Sequence, residues 1–217
     1  MEVITREIIS TDWITIVILM CFVLLATAKL MNSARFSEFV MLFNTNKYVV
    51  LNQKGNKLST FFNGVLVLVQ ALSVSLFIYL CLDVLQWQSD TVDVILYLKI
   101  ASLYLFVLIC KILVEKIISA IFSIEILIED YLFYKLSYRN FLGVILLPLN
   151  LLFIYTTKPS KIVLIILIAS LLILNLIILF SVYKKNENII LNHSLYFILY
   201  LCALEIAPYF MLYKLII

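Results

Sequence analysis

Apolar positions in this chain form long, nearly unbroken runs rather than the alternating or one-sided patterns of soluble strands and helices. A helix needs roughly 20 mostly apolar residues to cross a bilayer. Runs near that length fall at 13–31, 61–85, 92–114, 141–157, 161–183 and 191–213. The pattern predicts an all-α polytopic membrane protein, a single integral membrane domain over 1–217 with about six transmembrane helices. Trp13 opens the first run as an interfacial anchor. The link NTNKYVVLNQKGNKLST (Asn44–Thr60) is polar, and the second run is interrupted by Asn63, Gly64 and Gln70. The fourth run is short and contains Pro148 and Asn150.

After the third run the pattern changes without a break. In KILVEKIISAIFSIEILIED, Lys111, Glu115, Ser119 and Ser123 recur every four residues, which sets them along one helical stripe. Lys111 and Glu115 are spaced to pair. The expectation is a long helix that leaves the membrane and continues over 115–135 as an amphipathic segment on its inner surface, or against a partner.

Composition strengthens this picture. The chain has 217 residues, of which 65% are hydrophobic and only 13% charged. Soluble domains are about half apolar and about a quarter charged, so most of this surface is expected to face lipid. A net charge of +3 is too small and too spread for nucleic acid. The 4 cysteines stand singly in separate apolar runs, with no C-x-x-C spacing, and read as small buried hydrophobes. The first run ends in Ala26-Thr27-Ala28, like a signal cleavage site, yet Glu2, Glu7 and Asp12 outnumber Arg6 ahead of it. A signal peptide needs a positive leader, so the run is expected to be retained.

Basic residues then set the orientation. Threading the chain with its N-terminus outside leaves only Arg6, Lys158, Lys161 and Lys214 in outer connections. The remaining lysines and arginines face inward, except Lys99 within the third run. Both termini are therefore expected to face the periplasm or exterior.

Depth along the helices follows from the 1.5 Å rise per residue. Lys99 lies roughly 10 Å below the outer start of its run, and Glu205 roughly 12 Å below the outer end of the last one. Pro148 and Asn150 fall at a similar height, and Pro208 follows Glu205 by three residues. The prolines free the carbonyls of Val144 and Leu204, which need other partners. Lys99, Pro148, Asn150, Glu205 and Pro208 thus form a candidate intramembrane polar cluster. Three readings are open: a proton or ion relay, a bridge fixing helix register, or a neutral Glu205 beside an outward-reaching Lys99.

Catalytic signatures are missing. There is no H-E-x-x-H, G-x-S-x-G or phosphate-binding glycine loop, and no metal or cofactor is expected. The single histidine, His193, shares a stripe with Tyr196 and Tyr200 and reads as interfacial packing. Glu125, Glu129 and Asp130 lack metal-site spacing. With 3 Gly and 3 Pro and no symmetry between halves, an inverted-repeat carrier is disfavoured, and close small-residue crossings should be few.

Three stretches carry a family resemblance: Asp12-Trp13, YRNFLGVILLPLNLLFIY (Tyr138–Tyr155) and YFILYLCALEIAPYFMLYK (Tyr196–Lys214). In these the chain resembles an uncharacterised multi-pass inner-membrane family of Bacteroidota, catalogued as domain of unknown function 4271. The resemblance implies a helical membrane fold and an inner-membrane location, and no reaction. The leading functional expectation is a non-enzymatic integral subunit of a larger envelope complex, of secretion or motility type, whose partners are the lipid bilayer and other membrane proteins. The alternative is a small ion- or proton-coupled transporter or channel using Lys99 and Glu205.

Overall fold

A helix that is apolar on every side has no polar face to turn to solvent, so its place in a fold is set by which neighbours its surface fits. A computed structural model of the protein describes residues 12–43, 61–85, 93–121, 125–156 and 159–185. All regular structure among them is helical. The helices are α1 (Asp12–Met31), α2 (Ser33–Val40), α3 (Phe61–Val84), α4 (Asp93–Ile121), α5 (Glu125–Tyr155) and α6 (Lys161–Lys185). Asp12 in the first turn of α1 and Lys29 in its last complement the helix dipole. Asn32 caps α2 by accepting the Arg35 N–H at 3.1 Å.

The centre of the bundle is α3, which buries residues on all sides, from Phe62 to Cys81. Three clusters fix the directions of its neighbours. Ala28 at the end of α1 packs with Phe62 and Val65 at the start of α3, whereas Ile14 and Ile18 pack with Leu76 and Tyr79 near its end. Tyr97 of α4 also meets Leu76 and Tyr79. Phe133 and Tyr134 of α5 join Phe62, and Leu146 joins Phe77 and Cys81. Thus α1 and α4 run antiparallel to α3, and α5 runs parallel to it. Leu164 of α6 closes the third cluster. Short α2 folds across one end, where Phe39 stacks edge-on against Phe141 at 5.9 Å.

Several expectations change. Among the described residues four helices are long and apolar enough to cross a membrane: Asp12–Met31, Phe61–Val84, Val94–Ile121 and Leu132–Tyr155. That is fewer than six. In α6 the apolar stretch within the described residues is the shorter Lys161–Asn175, and the run at 191–213 lies outside them. The third helix runs on to Ile121 and the fourth starts at Glu125, sixteen residues before position 141. The stripe from Lys111 is therefore not one surface helix reaching 130. Its Glu115 and Ser119 are buried, because α5 returns along α4 and covers them. Ser123 lies outside the described residues. Trp13 also differs from a free interfacial anchor, packing on Tyr79 and Tyr97 at ring distances of 5.2 and 5.3 Å.

Candidate functional site

Among the polar residues of α3, Asn63, Gln70 and Ser73 share one face, and in α5 Asn140 and Asn150 do so with Gly143 between them. Steps of seven and three residues return to nearly the same helical face. Each apolar helix therefore carries a narrow polar line, and burial shows that the lines are turned inward: all five polar residues are buried.

Gly143 is what lets the two lines meet. A Cβ built there would lie 2.6 Å from Gln70 Cγ and 2.8 Å from Gln70 Cα, closer than real Cβ contacts come. The backbone of α3 itself occupies that space. Small residues at helix crossings permit such approach. One of the few glycines in the chain thus makes the kind of close crossing expected to be scarce.

Around this crossing, buried polar groups tie helices in pairs. The Gln70 Nε2 donates to the Tyr104 hydroxyl of α4 at 2.6 Å. The Asn150 Nδ2 donates to the Ser73 carbonyl at 2.9 Å, so α5 is bonded to the backbone of α3. Further along, the Lys135 Nζ of α5 donates to the Glu115 Oε1 of α4 at 3.0 Å. Glu115 is 3% exposed and Lys135 15%, so this ion pair is largely shielded from solvent. Thr15 of α1 bonds the Tyr155 hydroxyl of α5. Other hydroxyls turn inward on their own helix, as Ser75 does to the Ala71 carbonyl and Ser137 to that of Phe133.

The seam is not saturated. Gln70 Oε1, Ser73 Oγ, Asn140 Oδ1, Asn150 Oδ1 and Arg139 Nε are buried without a hydrogen-bond partner among the described residues. An unmet buried polar atom costs about 1–3 kcal/mol, and such groups ordinarily hold water or a ligand.

The residues singled out from sequence scatter. Asn150 sits in the seam, fully buried, while Lys99 and Pro148 are exposed on α4 and α5. Glu205 and Pro208, like His193, lie outside the described residues. Lys111 is half-buried, and Ser119 Oγ donates to the Lys116 carbonyl at 2.7 Å. Sequence reasoning missed Gln70, Tyr104 and Lys135 as members of a site. The signal for the first was present, since an uncharged amide in the middle of an apolar run seeks an internal partner.

Chemically the seam holds amides, hydroxyls and the Lys135–Glu115 ion pair. Cys21, Cys81 and Cys110 are free thiols. Among the described residues no group of three His, Cys, Asp or Glu side chains converges. A family model described as Domain of unknown function (DUF4271) matches residues 14–216. No curated protein and no solved structure matches the chain.

Proposed function

We propose a function for this chain, which belongs to the family described as Domain of unknown function (DUF4271): a non-enzymatic integral subunit that scaffolds a larger envelope assembly in a bacterial inner membrane. The full chain crosses the bilayer about six times, with basic connections on the cytosolic side and both termini outside. The observation that carries the reading is how the interior polar groups are used. Gln70 with Tyr104, Asn150 with the Ser73 carbonyl, and Lys135 with Glu115 each join two different helices. They hold register between helices, and the Gly143 crossing leaves no space between α3 and α5 for a solute path.

The outer face supplies the docking surface. Leu98, Phe106, Ile109, Leu113 and Ile117 are exposed along one side of α4, at helical spacing. Bulky side chains of this kind fit lipid or the flank of another membrane helix.

Site-specific photocrosslinking tests the reading. A benzoylphenylalanine at Phe106 or Ile109 should trap one discrete membrane protein in cells, and one at buried Leu76 should trap none. A protein that purifies from mild detergent as a stable, partnerless monomer, without crosslinks from α4, would overturn it.

A further inference from the structure

Near its start, α4 turns only part of its surface into the bundle. Leu96, Tyr97, Ile100 and Ala101 pack with Ile14, Leu76, Tyr79 and Leu151. The positions between them face the other way, and Ile95, Leu98, Lys99, Ser102 and Phe106 are exposed. Steps of four, three and four residues place Ile95, Lys99, Ser102 and Phe106 on one helical face. Lys99 is therefore set in the same outer surface as Phe106 and Ile109.

Its ammonium is unmatched. Among the described residues it has no ion-pair or hydrogen-bond partner. The Ser102 hydroxyl beside it is committed to the Lys99 carbonyl at 3.0 Å. Of the acidic positions on α4, Glu115 is bound to Lys135, and Asp93 lies six residues away, round the helix from Lys99. The α3 and α5 side chains packed at this level, Leu72, Leu76, Tyr79, Leu151 and Ile154, carry no carboxylate.

Depth makes an unmatched cation costly. The apolar span begins at Val94, so Lys99 lies roughly 8 Å inside it. A cation there is stabilised by a bundle interior, by an opposite charge or by reaching the interface. Exposure removes the first. The side chain leans toward the helix N-terminus, the end proposed to face outward, so a matching carboxylate belongs in the outer leaflet, at or just above the level of Lys99. The shape of the surface favours a helix as its bearer. From Ile95 the exposed apolar face continues through Ile109 and Leu113 to Ile117, roughly 33 Å of helix, the thickness of a bilayer core.

We propose that Lys99 pairs with a carboxylate on a transmembrane helix of a partner protein, which lies along this face of α4. The inference rests on the docking reading above and names the chemistry of the partner. An opposite charge at that depth favours the ionised form of both groups.

A defined probe tests it: a synthetic polyleucine transmembrane helix with a single glutamate at the level of Lys99, and companions with glutamine or lysine there. Energy transfer between labelled helix and full chain is read in phosphatidylcholine vesicles at mildly alkaline pH. The glutamate helix should associate about tenfold more tightly than the glutamine helix, the scale of a polar contact between membrane helices. Lys99→Arg should keep the preference, Lys99→Leu should remove it, and Lys99→Glu should transfer it to the lysine helix. Equal association of the glutamate and glutamine helices with the wild-type chain, or an undiminished preference in Lys99→Leu, would overturn the proposal. So would a preference that arises only with Glu205→Gln, which would make a carboxylate of this chain the occupant. A Phe106 photocrosslink of undiminished yield in Lys99→Leu cells would also sink the pairing, while leaving the docking reading in place. Loss of every crosslink from α4 in the wild-type chain would instead defeat the docking reading, so the two failures are distinguishable.

Discussion

Lys135 and Glu115 stand twenty residues apart in the chain, yet their Nζ and Oε1 atoms lie 3.0 Å apart. In one continuous helix that separation would be about 30 Å. The pair therefore exists only because α5 doubles back on α4, and it joins the two arms of that hairpin. Removing one partner of a shielded ion pair leaves the other charge without compensation. Glu115→Ala should cost about 3 kcal/mol, at the low end for buried pairs because Lys135 keeps partial exposure. The exchange of both residues, Glu115→Lys with Lys135→Glu, should recover part of it. Unfolding of the detergent-solubilised protein, followed by helical circular dichroism, checks both. Single and exchanged variants of equal stability would show that the pair does not hold the hairpin.

The two described glycines of the long helices should respond oppositely. At Gly143 a methyl group meets the Gln70 backbone, so Gly143→Ala should destabilise by about 1–3 kcal/mol, as overpacking does. At Gly64 nothing lies within 4 Å of the added Cβ. Gly64→Ala should be neutral or stabilise by up to about 1 kcal/mol through helix propensity. Melting temperatures of the two variants, measured side by side, decide; a tolerant Gly143 would contradict the close crossing.

Asn150 and Ser73 form a second contrast. Asn150 bonds the Ser73 main chain, while the Ser73 hydroxyl has no hydrogen-bond partner among the described residues. Asn150→Ala should lose about 1 kcal/mol, the scale of a hydrogen bond between membrane helices. Ser73→Ala should be neutral or slightly stabilising, because it deletes an unmet buried group and leaves the carbonyl in place. Chemical denaturation in mixed micelles separates the two. A costly Ser73→Ala would mean that its hydroxyl holds a structural water.

The proposed threading makes a prediction at helix ends. Asn32 follows α1 and Thr156 follows α5, at opposite ends of the bundle. In a cysteine-free background, Asn32→Cys should label only from the cytosolic side and Thr156→Cys only from outside. Impermeant maleimides on intact cells and inverted vesicles give the readout, and labelling from one side for both positions would refute the topology.

Much of the candidate seam was hidden for a physical reason. A polar residue in an apolar helix announces that it needs a partner, but helical spacing names only partners on its own helix. Glu115 illustrates this: spacing named Lys111 as a candidate on its own helix, and nothing in the spacing named Lys135, which the structure sets beside it across the hairpin. Lys99 and Asn150 fall at similar depths by residue counting, yet one is exposed and the other fully buried. Rotation about the helix axis, which depth does not specify, separates them.

Sequence by itself determined that this chain is built of apolar helices, because uninterrupted apolar runs near 20 residues fit helices and lack the short alternating pattern of barrel strands. It also located each polar interruption to the residue. Tertiary structure decided which helix is central, which face of each turns inward, and that α4 and α5 are a hairpin with Glu115 and Lys135 joined across it. Those choices depend on surface fit between helices, as at Gly143 against Gln70, and shape complementarity between distant segments is not encoded in any local period.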